Sequence, residues 1–86
     1  MNFGEALVNV KNGKRISRKN WNGKNQYVFL IKSKDLIHTV DKYIGEPVFV
    51  TDVLAIKTTK NQVQVGWLAS QADMLSDDWY IVEGEE

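Results

Sequence analysis

The sequence predicts an α+β fold, a small and mostly antiparallel sheet with two short helices, oligomeric, in a single domain spanning residues 1–86. Three observations predict it. An amphipathic run opens the chain, with Phe3, Ala6, Leu7 and Val10 at i, i+3, i+4 and i+7. Apolar, β-branched runs then recur between turn signals, the pattern of hairpins rather than of helical crossovers. Finally, 86 residues leave room for one core only, and the open edges of a small sheet are covered most simply by copies of the same chain.

Each element has a local reason. Asn2 with Glu5 three residues on forms a capping-box start for the first helix. Gly13 is its stop, because the residue after a helix often takes a left-handed conformation that glycine reaches without penalty. Lys14–Arg18 reads as a short polar-rich strand, and Trp21-Asn22-Gly23-Lys24 as a turn in which Asn-Gly permits positive φ. Tyr27–Ile31 reads as a buried strand. Residues 32–47 carry the lone His38 and end at Gly45-Glu46-Pro47; they read as loop with at most an irregular strand. Val48–Thr58 and Gln62–Leu68 flank a turn at Lys60-Asn61 and read as a hairpin, with Val63, Val65 and Trp67 in phase on one face. Ser70 followed by Asp73 starts a second helix of one or two turns, Trp79–Val82 is a final strand, and Glu83–Glu86 is a frayed tail.

Composition removes several functions. Hydrophobic residues at 43% and charged residues at 26% describe an ordinary globular domain. With no cysteine there is no disulfide, thiolate metal site or Cys nucleophile, which fits a reducing compartment. No stretch approaches the roughly 20 apolar residues of a membrane span, and Met1–Glu5 carries an acid where a signal peptide would be basic, so an intracellular site is expected. Eleven basic residues balance eleven acidic ones, leaving no net field to draw the chain onto nucleic acid or an anionic membrane. The distribution is uneven: through Lys34 there are eight basic residues against Glu5 alone, net +7, and the remainder is −7. Either the two halves pair with each other or with a neighbouring subunit, or the basic half holds an anion. Arg15 and Arg18 are rigid forks suited to phosphate, which points to a small phosphorylated ligand.

Catalytic chemistry has little to stand on. A Ser-His-Asp arrangement would need His38, which lies in the least patterned segment with no nucleophile-elbow sequence. Asp73, Asp77 and Asp78 could offer oxygens to Mg²⁺, making a small metal-dependent nucleotide hydrolase one alternative, yet adjacent Asp77 and Asp78 point apart unless they lie in a loop. The scattered glycines make neither a phosphate loop nor a dinucleotide fingerprint, and no cofactor or metal is expected.

Binding residues are more evident. Trp21, Trp67 and Trp79 each offer a flat face on which a purine could stack for about 1 to 3 kcal/mol, or each is core. Trp79 sits in an apolar strand and reads as core; Trp21, among Lys19, Asn20, Asn22 and Lys24, is the better stacking group. If all three are core, a protein-interaction module remains. Asn22, Ser70, Gln71 and Asp73 can hydrogen-bond a base edge or ribose, although Ser70 and Asp73 also suit a helix cap. Glu5 and Asp73 put negative charge at both helix starts, so phosphate is assigned instead to Arg18 and the Trp21–Lys24 turn.

Three segments together carry a resemblance: Asn2-Phe3-Gly4-Glu5-Ala6-Leu7, then Arg18-x-x-Trp21-Asn22-Gly23, then Trp67-x-x-Ser70-Gln71-x-Asp73-Met74-Leu75-x-x-Asp78-Trp79. In that order and at this length, the sequence resembles the phage Thoeris anti-defence proteins of the second kind. The pattern does not extend over residues 32–62. The resemblance implies a non-enzymatic homotetramer in the host bacterial cytoplasm. It would capture a small-molecule signalling nucleotide, glycocyclic ADP-ribose, before it activates the Thoeris effector; cyclic dinucleotides are further candidates. The implied ligand contacts are Phe3, Gly4, Arg18, Trp21, Asn22, Gly23, Trp67, Ser70, Gln71 and Asp73, with Leu75 and Trp79 left to the core. One subunit of this size can hardly enclose such a ligand, so the pocket is expected between subunits.

Overall fold

In a computed structural model, which describes residues 1–21 and 25–83, five strands and three helices follow one another as α1 (Phe3–Lys11), β1 (Arg15–Arg18), β2 (Tyr27–Ile31), α2 (Ser33–Ile44), β3 (Val53–Lys57), β4 (Val63–Val65), α3 (Gln71–Leu75) and β5 (Trp79–Val82). The strands form one antiparallel sheet in the order β4-β3-β2-β1-β5. This is the expected α+β class.

α1 starts as the sequence predicts. The Asn2 side chain accepts from the Glu5 backbone N–H at 2.8 Å, and the Asn2 backbone N–H donates to Glu5 Oε1 at 2.9 Å. Two otherwise orphaned donors are thereby satisfied. Gly13, at φ 92°, turns the chain out of the helix into β1. Ala6 and Val10 are buried against Ile16, Val28, Ile56 and Trp79, and Met1, Phe3, Leu7, Trp21, Leu30, Leu54 and Trp67 pack around that core.

Strand register sorts the sheet into two faces. Ile16 pairs with Val28 on one side and Ile81 on the other, while Arg18 pairs with Trp79, so these lie on the face under α1. Arg15, Ser17, Tyr27, Phe29, Lys57, Tyr80 and Val82 alternate onto the opposite, outer face.

Three expectations are corrected. Residues 32–47 are not loop or strand: α2 occupies Ser33–Ile44 and ends at Gly45, left-handed at φ 85°. Leu36, Ile37, Val40 and Ile44 do recur at helical spacing, but Lys32 at the N-cap offers no side-chain cap, and β-branched Ile37, Thr39, Val40 and Ile44 mask the period. The described residues therefore hold three helices, α2 being additional to the two expected. Leu75 is 79% exposed and is no part of the core; α3 stops at it and Ser76 is already extended.

The third correction concerns Trp67. The hairpin turns as expected, with Asn61 at φ 63° and Thr58 N–H donating to Gln62 O at 2.7 Å, although pairing is confined to Val53–Lys57 and Val63–Val65. Strict alternation would leave Trp67 in phase with exposed Val63 and Val65 on the outer face. Instead Gly66 is left-handed at φ 97°, and the N–H groups of Gly66 and Trp67 both donate to Leu54 O at 2.8 Å. Two residues thus oppose one, a glycine bulge that re-aims the following side chain onto the core face. Open space surrounds the position where a Gly66 Cβ would sit, so the constraint is backbone conformation alone. Gly66→Ala is expected to lower stability by about 1 to 2 kcal/mol. Urea unfolding measures that loss, and the tryptophan emission of the folded variant should shift as Trp67 loses its seat.

Candidate functional site

The site is assembled where β1, the turn after it, the β4–α3 connection and the start of β5 converge. Ser70 caps α3: its Oγ accepts from Asp73 N–H at 3.1 Å, and Asp73 Oδ2 accepts from Ser70 N–H at 3.0 Å. The box fixes Asp73 with its other oxygen facing inward. Asp73 Oδ1 accepts from Arg18 Nη1 at 2.9 Å and from the Trp21 indole Nε1 at 3.1 Å. The Asp73 backbone carbonyl accepts from Trp79 Nε1 at 2.9 Å. One residue thus holds two indoles and a guanidinium.

Arg18 is held from the other side by Asp78, whose Oδ1 accepts from Nε at 2.9 Å. Asp78 Oδ2 accepts from Asn20 N–H at 2.9 Å, and its carbonyl accepts from Lys19 N–H at 3.1 Å, so the same residue fastens the start of the Trp21 turn. The Arg18 side chain is 9% exposed. Of the basic residues in the first half, Arg18 therefore pairs with acids of the second half.

Around this polar hub stand the three indoles, every pair edge-on. Trp21 lies 5.3 Å from Trp79 and 6.3 Å from Trp67, and Trp67 lies 6.3 Å from Trp79. Phe3 adds its ring at 5.5 Å from Trp79. Such aromatic pairs contribute about 0.5 to 1.5 kcal/mol each beyond area burial. Trp79 is 1% exposed and is the floor of the triad; Trp21 and Trp67 are half-buried.

Of the residues singled out in the sequence, Phe3, Arg18, Trp21, Trp67, Ser70 and Asp73 come together in this cluster. Gly4 and Gln71 are exposed in the first turns of α1 and α3, and Asn22 and Gly23 lie outside the described residues. Sequence reasoning weighed Asp78 as a metal ligand, disfavoured that role, and overlooked its grip on Arg18. The carboxylates of Asp73 and Asp78 face the guanidinium, and the described residues contain no group of three or more acidic or histidine side chains that could hold a metal ion. Beside Trp21, an open cleft of about 470 Å³ is lined by Ser17, Arg18, Lys19, Asn25, Gln26 and Tyr80.

A family model for the Thoeris anti-defense 2-like domain matches residues 1–82. The chain belongs to the Thoeris anti-defense 2-like family. The protein named Thoeris anti-defense 2 from Bacillus phage SP01 is similar to it, 44% identical over 87 residues that cover 95% of this chain and 94% of that protein. Membership in the anti-defense family thus extends across the mid-chain segment in which no pattern was legible. No helix of the described residues is long and apolar enough to cross a membrane.

Hydrogen bonding sets the charge states. Burial pushes the Asp73 carboxyl up, but the hydrogen bonds from Ser70, Arg18 and Trp21 outweigh it and hold the group below the ordinary aspartate range. Asp78 is lowered chiefly by the Arg18 hydrogen bond, and Arg18 is raised by Asp78 and Asp73 in turn. For a carboxyl depressed in the folded state, the stabilisation is complete above its unfolded pKa of about 4 and disappears as pH falls through the folded value. The thermal midpoint should therefore fall below about pH 4, and Asp73→Asn should flatten that acid limb in a pH series of melting curves. Asp73→Ala strands Arg18 and the Trp21 N–H together and should cost roughly 3 to 5 kcal/mol by urea unfolding.

Proposed function

We propose that residues 1–86 act as a single sequestering domain that captures glycocyclic ADP-ribose and releases it intact, so that the Thoeris effector is not activated in the host cytoplasm. The observation that carries the reading is the half-buried Trp21, pinned by Asp73 at the rim of an open cleft rather than sealed inside the core. Membership in the anti-defense family and the whole-length similarity to the Bacillus phage SP01 protein support it.

In this reading Trp21 and Trp67 form the wall on which the base stacks, with Phe3 behind Trp79 and Ser70 and Asp73 holding the wall upright. Gly4, Asn22, Gly23 and Gln71 complete the ligand surface, and Arg18 lines the cleft while its fork holds two carboxylates. Capture needs tight ground-state binding and no preferential transition-state stabilisation, so a tuned acid–base pair has no task here. For a ligand of about 35 heavy atoms at about −0.3 kcal/mol per atom, affinity reaches about −10 kcal/mol, near the nanomolar range.

An open cleft on one subunit cannot enclose most of such a ligand, and a homotetramer with pockets between subunits supplies the missing wall. Phe49 is fully exposed, and Leu68, Leu75 and Tyr43 are nearly so, a large amount of apolar surface for an 86-residue chain to leave in water. Sedimentation equilibrium should give four times the chain mass of 9.8 kDa. Incubation with glycocyclic ADP-ribose, removal of free ligand, heat denaturation and mass spectrometry of the supernatant should return the unchanged nucleotide; a hydrolysed product overturns the non-enzymatic part. Trp21→Ala should weaken binding at least tenfold, matching the loss of about 1 to 3 kcal/mol of stacking, while the protein remains folded. A variant that unfolds instead would make Trp21 a core residue and favour a protein-interaction module.

A further inference from the structure

We infer that Arg15 and Lys57, both within reach of the Tyr27 ring, form a subsite for a diphosphate on the outer face of the sheet, next to the Trp21 cleft. Lys57 is the register partner of Tyr27 on β3, and Arg15 lies diagonally across from it on β1. The Arg15 guanidinium carbon is 4.8 Å from the ring centroid and Lys57 Nζ is 5.6 Å from it, both inside the roughly 6 Å reach of a cation–π contact. Each cation is oriented by a neutral carbonyl: Arg15 Nη2 donates to Glu83 O at 3.1 Å, and Lys57 Nζ donates to Asn25 O at 3.0 Å. Carbonyls fix direction without cancelling charge. Among the described residues the ion pairs are both made by Arg18, so Arg15 and Lys57 keep their positive field.

Between them opens a cleft of about 280 Å³, and it shares Asn25, Gln26 and Tyr80 with the larger cleft beside Trp21. A nucleotide whose base lies at Trp21 can extend across Gln26 and Tyr80 toward this second opening. A diphosphate is long enough to engage two cations at once, and a guanidinium fork is shaped for its oxygens. Arg18 is the poorer partner for that anion because Asp73 and Asp78 already occupy its Nη1 and Nε. The two arginines flagged in the sequence thus divide the work: Arg18 builds the wall, and Arg15 takes the phosphate.

This inference rests on the nucleotide reading, and the experiment separates the two. Calorimetric titration with glycocyclic ADP-ribose compares the wild type with Arg15→Met, Lys57→Met and Arg15→Lys, the last retaining charge without the fork. Melting curves establish that each variant is folded, and Arg15→Lys and Lys57→Met carry the test if Arg15→Met is not. The Met variants should each lose about tenfold or more in affinity, with Arg15→Lys in between. Variants that bind as tightly as the wild type overturn the subsite and leave the sponge reading intact. If the wild type does not bind the nucleotide, the sponge reading fails, and ³¹P NMR with inorganic pyrophosphate decides the subsite. Line broadening that requires Arg15 and Lys57 supports the subsite, and broadening that does not, or its absence, overturns it.

Discussion

The Asp73 carboxylate is the constraint on which the site depends. Its position is set locally, by a reciprocal cap with Ser70 that costs no tertiary contact. The oxygen that the cap leaves over then organises residues from the other end of the chain, Arg18 and Trp21, more than fifty positions away. A buried or half-buried ion pair contributes little net stability against an apolar substitute of the same shape, because desolvation offsets the Coulomb gain. Its consequence is geometric. With Arg18 fixed between Asp73 and Asp78 and the Trp21 indole bonded to the same Asp73 oxygen, Trp21 is set edge-on to Trp67 and Trp79.

Much of this was legible in the sequence because the signals are local. The two capping boxes, the Gly13 stop and the Lys60-Asn61 turn rest on interactions within about four residues, the range over which sequence spacing is informative. Arg18 and Trp21 could be singled out by residue type, as a rigid fork and a large aromatic in a polar setting. Trp67, Ser70 and Asp73 had core or helix-cap readings beside them and were placed in the site by the family resemblance. What stayed hidden was long-range or conformational. The Gly66 bulge reverses the facing of Trp67 through a shared carbonyl on another strand, which alternation cannot show. α2 lacks a capping side chain and carries four β-branched residues after its first turn, so its period was masked. The grip of Asp78 on Arg18 was hidden because the two lie sixty residues apart.

Capture and catalysis make opposite demands on such a site. An enzyme needs groups whose protonation changes near the working pH, whereas a sponge needs fixed, saturated groups that hold one shape. Asp73 and Asp78 are depressed carboxylates locked on a raised arginine, and none of the three is poised to exchange a proton near neutrality. Trp21 and the outer cations line neighbouring clefts that share Asn25, Gln26 and Tyr80, which suits a ligand with an aromatic end and an anionic end. Exposed apolar residues elsewhere, Phe49 and Leu68 among them, are the surface that the proposed tetramer would cover.

The indole N–H region of a ¹H–¹⁵N spectrum, recorded as glycocyclic ADP-ribose is added, tests the central claim most directly. Trp21 and Trp67, the half-buried walls, should move while the sealed Trp79 signal stays in place. A titration in which the nucleotide leaves all three indole signals untouched would contradict the account.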